Sequence, residues 1–235
     1  MKLGIMQPYF FPYIGYFQLI HATERFIFFD TPQYERRGWM NRNRIINLKE
    51  GSTYITVPII KAPQQTALLD IKINNAENWR EKLLLQLEIY KKRAPYYAQT
   101  KDFVQSTLGK AGDSLSELNI ISVVESCRYI GLSINWDVFS RMDLKIASKC
   151  APDEWALEIS KALHATEYIN APGGQAFFDR AKYESAGIDL KFIKPELKPY
   201  VQRIGRFEPA LSIIDVMMYN SPEEIINLIK HYTFC

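Results

Sequence analysis

Histidine and cysteine are scarce in this chain of 235 residues, three of each. His21, His164 and His231 are scattered, and none stands at a telling spacing from a cysteine, serine or carboxylate, so a hydrolase triad and a metal site find no support. Cys127, Cys150 and Cys235 are widely separated and odd in number, which fits a reducing compartment better than a disulfide framework and matches no zinc spacing. No apolar run approaches the ~18 residues that a membrane-spanning helix needs. Only Lys2 precedes the first apolar stretch, and that stretch carries prolines and tyrosines foreign to a signal-peptide core. An excess of one charge is also missing. The chain has 29 Lys+Arg against 26 Asp+Glu, net +3, far from the basic bias of a non-specific nucleic-acid binder. Neither G-x-x-x-x-G-K-[ST] nor G-x-G-x-x-G occurs. These absences lead us to expect a soluble cytoplasmic protein with a small-molecule substrate, no metal, no nucleic-acid partner and no membrane span.

What is present is ordinary in bulk and uneven in detail. Hydrophobic residues make up 47% and charged residues 23%, the proportions of a globular chain. Yet 11 of the aromatic residues fall in the first 40 positions. A core absorbs phenylalanine at that density. Tyr9, Tyr13, Tyr16 and Tyr34 each need a hydrogen-bond partner for the hydroxyl, which marks the segment for function.

The pattern along the chain is α/β. Leu3-Gly4-Ile5-Met6 reads as a strand, Tyr13 to Ala22 as a short helix, and Phe26-Ile27-Phe28-Phe29 as a strand buried on both faces, together a βαβ unit. Residues 31–52 read as a long basic loop, Tyr54–Ile59 as a strand and Leu68–Ile73 as its neighbour. Asn78 and Glu81 resemble a capping box ahead of a helix whose Trp79, Leu83, Leu87 and Tyr90 share a face. Helices follow over 96–108 and from Ser114 to Gly131, so that 77–131 reads as a helical insertion or subdomain within a single α/β domain. Leu132–Trp136 reads as a strand, Asp153–Ala165 as a helix, Glu167–Asn170 as a strand and Ile188–Ile193 as another. Pro209 suits the first position of a helix reaching Met218, and Ser221-Pro222-Glu223-Glu224 opens a terminal helix with a cap, a proline and acid in the first turn. The expected architecture is a Rossmann-like parallel sheet flanked by helices.

In such sheets ligands bind beyond the carboxyl ends of the strands. Gln7–Gly15 follows the first strand and Asp30–Arg44 the second. The rim then offers Asp30, Gln33, Tyr34, Arg36, Arg37, Trp39, Asn41, Arg42, Asn43 and Arg44. Arginine forks grip phosphate or carboxylate, amide side chains read hydroxyls, and the rings supply flat faces. A solvated basic loop and a packed tryptophan are the plainer readings of the same residues. Asn170, Gly173 and Gly174 follow a strand and allow close backbone approach to a ligand or simply a tight turn. Asp215, in an otherwise apolar helix, needs a partner or a wet site. Tyr200, Gln202, Arg203 and Arg206 form a second possible anion contact.

Two resemblances sharpen these expectations. Tyr13-Ile14-Gly15-Tyr16 after the first strand resembles the His-x-Gly-His element of HUP-type nucleotidyltransferases such as pantothenate synthetase, with uncharged tyrosines in both histidine places. More extensively, Gln7 to Tyr16, Trp39 to Ile45, Tyr168 to Gly174 and Leu211 to Asp215 resemble, in order, four blocks of the WbqC-like family found with bacterial surface-polysaccharide (O-antigen) genes. The resemblances imply an enzyme acting on a nucleotide-linked amino sugar and forming an amide with an amino acid or other acyl group, with ATP activating the acyl carboxylate. On that view Arg36, Arg37, Arg42 and Arg44 hold phosphates, Tyr13, Gly15 and Tyr16 position the nucleotide, and Asp30 receives a proton. Trp39, Asn41 and Asn43 hold the sugar, and Gln7, Tyr9, Gln33 and Tyr34 complete the site. Tyr13, Asp30 and Arg42 are the catalytic candidates. An acyl-CoA-dependent sugar N-acyltransferase and a non-catalytic sugar-nucleotide binding protein remain the alternatives.

Overall fold

The computed structural model describes residues 1–47, 49, 51–146, 150–203 and 206–235. Its first three elements are β1 (Lys2–Met6), α1 (Ile14–His21) and β2 (Arg25–Phe28), with β1 and β2 parallel. β3 (Arg42–Ile46) and β4 (Ser52–Thr56) form a separate antiparallel hairpin. Three helices follow, α2 (Trp79–Gln86), α3 (Tyr97–Gly109) and α4 (Leu115–Ile130), and then β5 (Trp136–Val138), α5 (Trp155–Ala162), β6 (Glu167–Asn170), α6 (Arg180–Ser185) and β7 (Asp189–Pro195). The chain closes with α7 (Ile213–Tyr219), α8 (Pro222–Ile229) and β8 (Tyr232–Phe234). The main sheet has the order β5-β2-β1-β6-β7-β8, parallel throughout except for β8 at one edge. This is a mixed α/β, Rossmann-like fold with helices on both faces.

Strand alternation builds the two faces. Phe26 and Phe28 point into the core made with α1, α4, α7 and α8, while Ile27 joins Leu3, Ile5, Tyr168, Leu190 and Phe192 under α5 and α6. The chain runs from β1 to β2 on one side and reaches β6 on the other side of β1. The gap between the carboxyl ends of β1 and β6 is therefore the topological switch point.

Several boundaries depart from the sequence pattern. The basic run expected to be loop contains β3, because Asn43 and Ile45 are buried while Arg42 and Arg44 alternate outward. Positions 48 and 50 of that run lie outside the described residues. Leu68–Asp70 forms a single 3-10 turn instead of a strand, and only Ile73 bridges to Ile59. Asn78 precedes α2 without a side-chain capping bond, since its amide is turned to the Glu81 carboxylate. The strand expected over 132–136 begins only at Trp136, and α7 starts after Ser212 instead of at Pro209, since Ser212 caps it. Ser114 and Ser221 cap α4 and α8 as their spacing implies, and Gly131 closes α4 in the left-handed region.

The loop between β1 and α1 runs through the interior. Phe10 and Phe11 are fully buried, and Phe11 adopts φ 38°, unfavourable for a side chain of that size. Its backbone is satisfied from four directions. Asn43 donates to the carbonyls of Phe10 (3.1 Å) and Phe11 (2.8 Å), Asn119 to that of Pro8 (2.9 Å), and Ser212 to Phe11 (2.7 Å), while Ser122 Oγ accepts from Phe11 N–H (3.1 Å). Asn43→Ala strips donors from two buried carbonyls and should cost about 2–4 kcal/mol, read as a lower urea midpoint. A midpoint equal to that of the parent chain would show that Asn43 is not a brace.

Candidate functional site

A cleft of about 790 Å³ opens at the switch point. Gln7 reaches it from the end of β1, Phe29 and Thr31–Gln33 from β2, Phe139 from β5, and Asn170, Gly173 and Gly174 from β6. Pro152 and Trp155 at the start of α5, with Phe177 and Phe178, complete apolar walls. Phe29, Phe139 and Trp155 pack as a cluster with ring centroids 5.1–6.1 Å apart. Gly174 is a close-approach position, since a Cβ there would lie 2.9 Å from the Phe178 ring.

The polar groups of this cleft are held by their neighbours. Tyr16 donates to the Gln7 carbonyl (3.0 Å), and Tyr9 donates to Gln7 Oε1 (3.4 Å), which leaves the amide N–H groups of Gln7 as donors. Burial, with smaller contributions from the Glu35 charge and Tyr13, pushes the Tyr9 phenol up to about 12, so it stays a neutral donor. Asn170 donates to the Tyr168 hydroxyl (2.5 Å) and accepts from Ala171 N–H (2.5 Å). Glu35 is the one carboxylate among the described lining residues.

A second cleft, of about 340 Å³, lies beside Tyr34, Arg36, Arg37, Asn41, Arg42 and Lys61. The 31–37 segment is shared between the two. Thr31, Pro32, Gln33 and Glu35 line the aromatic cleft, while Tyr34, Arg36 and Arg37 line the cationic one. The strap is tied down by Tyr34 N–H to Thr66 O (2.9 Å) and Leu68 N–H to Pro32 O (2.8 Å).

The residues singled out in the sequence thus divide three ways. Gln7, Gln33, Asn170, Gly173 and Gly174 meet at the switch point. Tyr34, Arg36, Arg37, Asn41 and Arg42 meet on the other side of the strap. The remainder line neither cleft. The tyrosines after β1 and the arginines after β2, expected to enclose one guest, thus line no common cleft among the described residues, and Arg36, Arg37 and Arg42 border a cleft of their own. Tyr13 lies over Gly15, where a Cβ would come within 2.4 Å of its ring, and bridges to Ser212. Tyr16 and Asn43 are buried framework. Trp39, 41% exposed, packs with Tyr54 and under the Arg44 guanidinium, and Arg44 itself turns to Glu208 (3.6 Å) and Ala210 O. Asp30 is 3% exposed, and both its oxygens are engaged by Ser140, from N–H (3.1 Å) and Oγ (2.6 Å). Asp215 is fully buried and accepts from Tyr90 (2.5 Å), Tyr200 (2.5 Å) and Gln202 (3.1 Å), with burial pushing its carboxyl upward. Glu35, Lys61 and the aromatic walls were not singled out. Phe29 and Trp155 carried the signal of core residues, and nothing local joined Phe177 to Phe139.

Among the described residues no group of His, Cys, Asp and Glu is arranged to hold a metal, and no helix is long and apolar enough to cross a membrane. Neither cleft is lined by Cys, Ser or His among those residues.

The α/β fold carries a cleft at its switch point, and the match over residues 7–227 places this chain in the WbqC-like protein family. It is also similar to a Mycobacterium tuberculosis protein described as "Uncharacterized protein Rv1507c", 29% identical over 219 residues that cover 92% of each chain. No solved structure matches it significantly.

Cysteine chemistry should follow the same division. Burial pushes the Cys127 thiol up to about 12, whereas Cys235 is exposed. Iodoacetamide should label Cys235 in the native protein and Cys127 only after denaturation, as read by peptide mass spectrometry. Rapid native labelling of Cys127 would contradict the packing of α4.

Proposed function

We propose that the protein is an enzyme of surface-polysaccharide assembly that holds a nucleotide-linked amino sugar in the switch-point cleft and joins the sugar amine to an acyl carboxylate as an amide. The observation that carries this reading is the cleft itself, with aromatic walls, three amide side chains and a single carboxylate at the carboxyl ends of β1, β2 and β6. Rings stack on a base or sugar, and Gln7, Gln33 and Asn170 match hydroxyl and amide groups. No Cys, Ser or His lines it among the described residues, and in this reading the acyl group is carried by a small molecule. In this reading the acyl carboxylate attacks the α-phosphorus of ATP and releases pyrophosphate. The sugar amine then attacks the acyl carbon, AMP leaves, and Glu35 receives the ammonium proton. ATP enters through the HUP-type resemblance. The family's association with surface-polysaccharide genes supplies the pathway.

One observation favours a second reading, a sugar-nucleotide binding protein without turnover. Asp30, the acid expected to take the proton, is buried, and each of its oxygens accepts a hydrogen bond from Ser140. The two separate in one assay. Protein, ATP, an amino acid and an amino-sugar nucleotide should yield pyrophosphate and a sugar amide, and Glu35→Gln should lower that rate about a hundredfold or more with little change in KM. Binding without turnover on any donor would leave the second reading standing. Turnover on an acyl-CoA without pyrophosphate would instead mean a preformed acyl donor. Trp155→Ala should weaken sugar-nucleotide binding about tenfold by calorimetry. Unchanged affinity would remove the switch-point cleft from the account.

A further inference from the structure

The cationic cleft has features that set it apart from an ordinary basic surface. Arg36, Arg37, Arg42 and Lys61 all line it, no carboxylate does, and none of these four cations has an ion-pair partner among the described residues. Elsewhere the chain pairs its cations readily, as Arg25 with Asp137 (2.7 Å), Lys182 with Asp153 and Glu154 (both 2.9 Å) and Lys191 with Glu167 (2.8 Å). Like charges gathered in one hollow repel, and that cost persists until an anion enters.

Two of the guanidiniums are fixed in place. Arg36 Nη2 donates to Ala62 O (2.9 Å). Arg42 donates through Nε to Gly38 O (3.3 Å) and through Nη2 to Arg37 O, and it lies 4.5 Å from the centroid of the Tyr54 ring. Each keeps further N–H donors, because a guanidinium carries five. Arg37 and Lys61 are exposed and make no side-chain hydrogen bond among the described residues. The floor is neutral and ordered, with Tyr34 donating to Asn41 Oδ1 (2.9 Å) and Asn41 donating to Val57 O (2.9 Å). Two fixed forks with two unpaired cations suit an anion with several oxygens and a charge too large for one phosphate. A phosphate monoester carries about −1.5 to −2, at most half of what four cations offer.

We infer that this cleft binds a group of two or more linked phosphates. The inference goes beyond the amide-forming reading and does not need it, although that reading supplies one source for such a group, the phosphate tail of a nucleoside triphosphate.

The test is calorimetry on the full chain with inorganic pyrophosphate and inorganic phosphate in a chloride buffer. Pyrophosphate should bind about tenfold tighter than phosphate or better, and more weakly as salt is raised. The double variant Arg37→Gln with Lys61→Gln should lose at least about tenfold of that affinity while its ligand-free melting temperature stays at the parental value, since neither side chain braces the fold. Trp155→Ala should leave pyrophosphate affinity unchanged, which separates this site from the aromatic cleft. Competition identifies the source: displacement of pyrophosphate by a sugar nucleotide or by ATP, each lost in the double variant, names the group that enters. No binding of pyrophosphate, equal affinity for phosphate and pyrophosphate, or full affinity in the double variant would each overturn the inference, whatever the aromatic cleft does.

Discussion

A buried loop held by polar side chains is the constraint from which the rest of this structure follows. Residues 8–12 cross the interior without a regular ladder, so each backbone group needs a partner or costs on the order of 1–3 kcal/mol. Asn43 on β3, Asn119 and Ser122 on α4 and Ser212 before α7 supply those partners. The same contacts tie the hairpin, the helical layer and the C-terminal helices to the carboxyl end of β1. Gln18 extends the network by donating to the carbonyls of Leu228 (3.2 Å) and His231 (2.8 Å) at the end of α8.

Three of the four sequence blocks that resemble the family are the parts of this brace. The first block contributes the loop, the second Asn43, and the fourth Ser212, whose N–H also reaches Arg44 O (2.8 Å). The remaining block, from Tyr168 to Gly174, supplies Asn170, Gly173 and Gly174 to the switch-point cleft, where the braced loop delivers Gln7. Fixing the loop therefore fixes one wall of the site. The 31–37 strap, anchored on residues 66–68, supplies the other wall and lends residues to both clefts, Thr31–Gln33 and Glu35 to one and Tyr34, Arg36 and Arg37 to the other.

The layered fold was readable because its strands are short apolar runs and its helices carry caps. β6 falls where Glu167–Asn170 placed it, and α8 opens on the Ser221 box. β3 was hidden because its half-buried, outward positions are arginines, and only Asn43 and the isoleucines betray the alternation. β8 is three residues long, too short for a period to show. The sites were harder. Asn43 looks like a ligand-binding residue in sequence, yet it serves the backbone, because a buried carbonyl and a sugar hydroxyl ask for the same donor. The aromatic walls come from separate loops after β2, β5 and β6, a proximity that only the sheet order creates.

The central claim is that the ligand sits beyond the carboxyl ends of β1 and β6, on the wall fixed by the braced loop. Backbone hydrogen exchange, followed by mass spectrometry with and without an amino-sugar nucleotide, tests it most directly. The account predicts new protection at Gln7, across 29–35 and across 170–178. Protection falling instead on α2 and α3, with those segments unchanged, would contradict it.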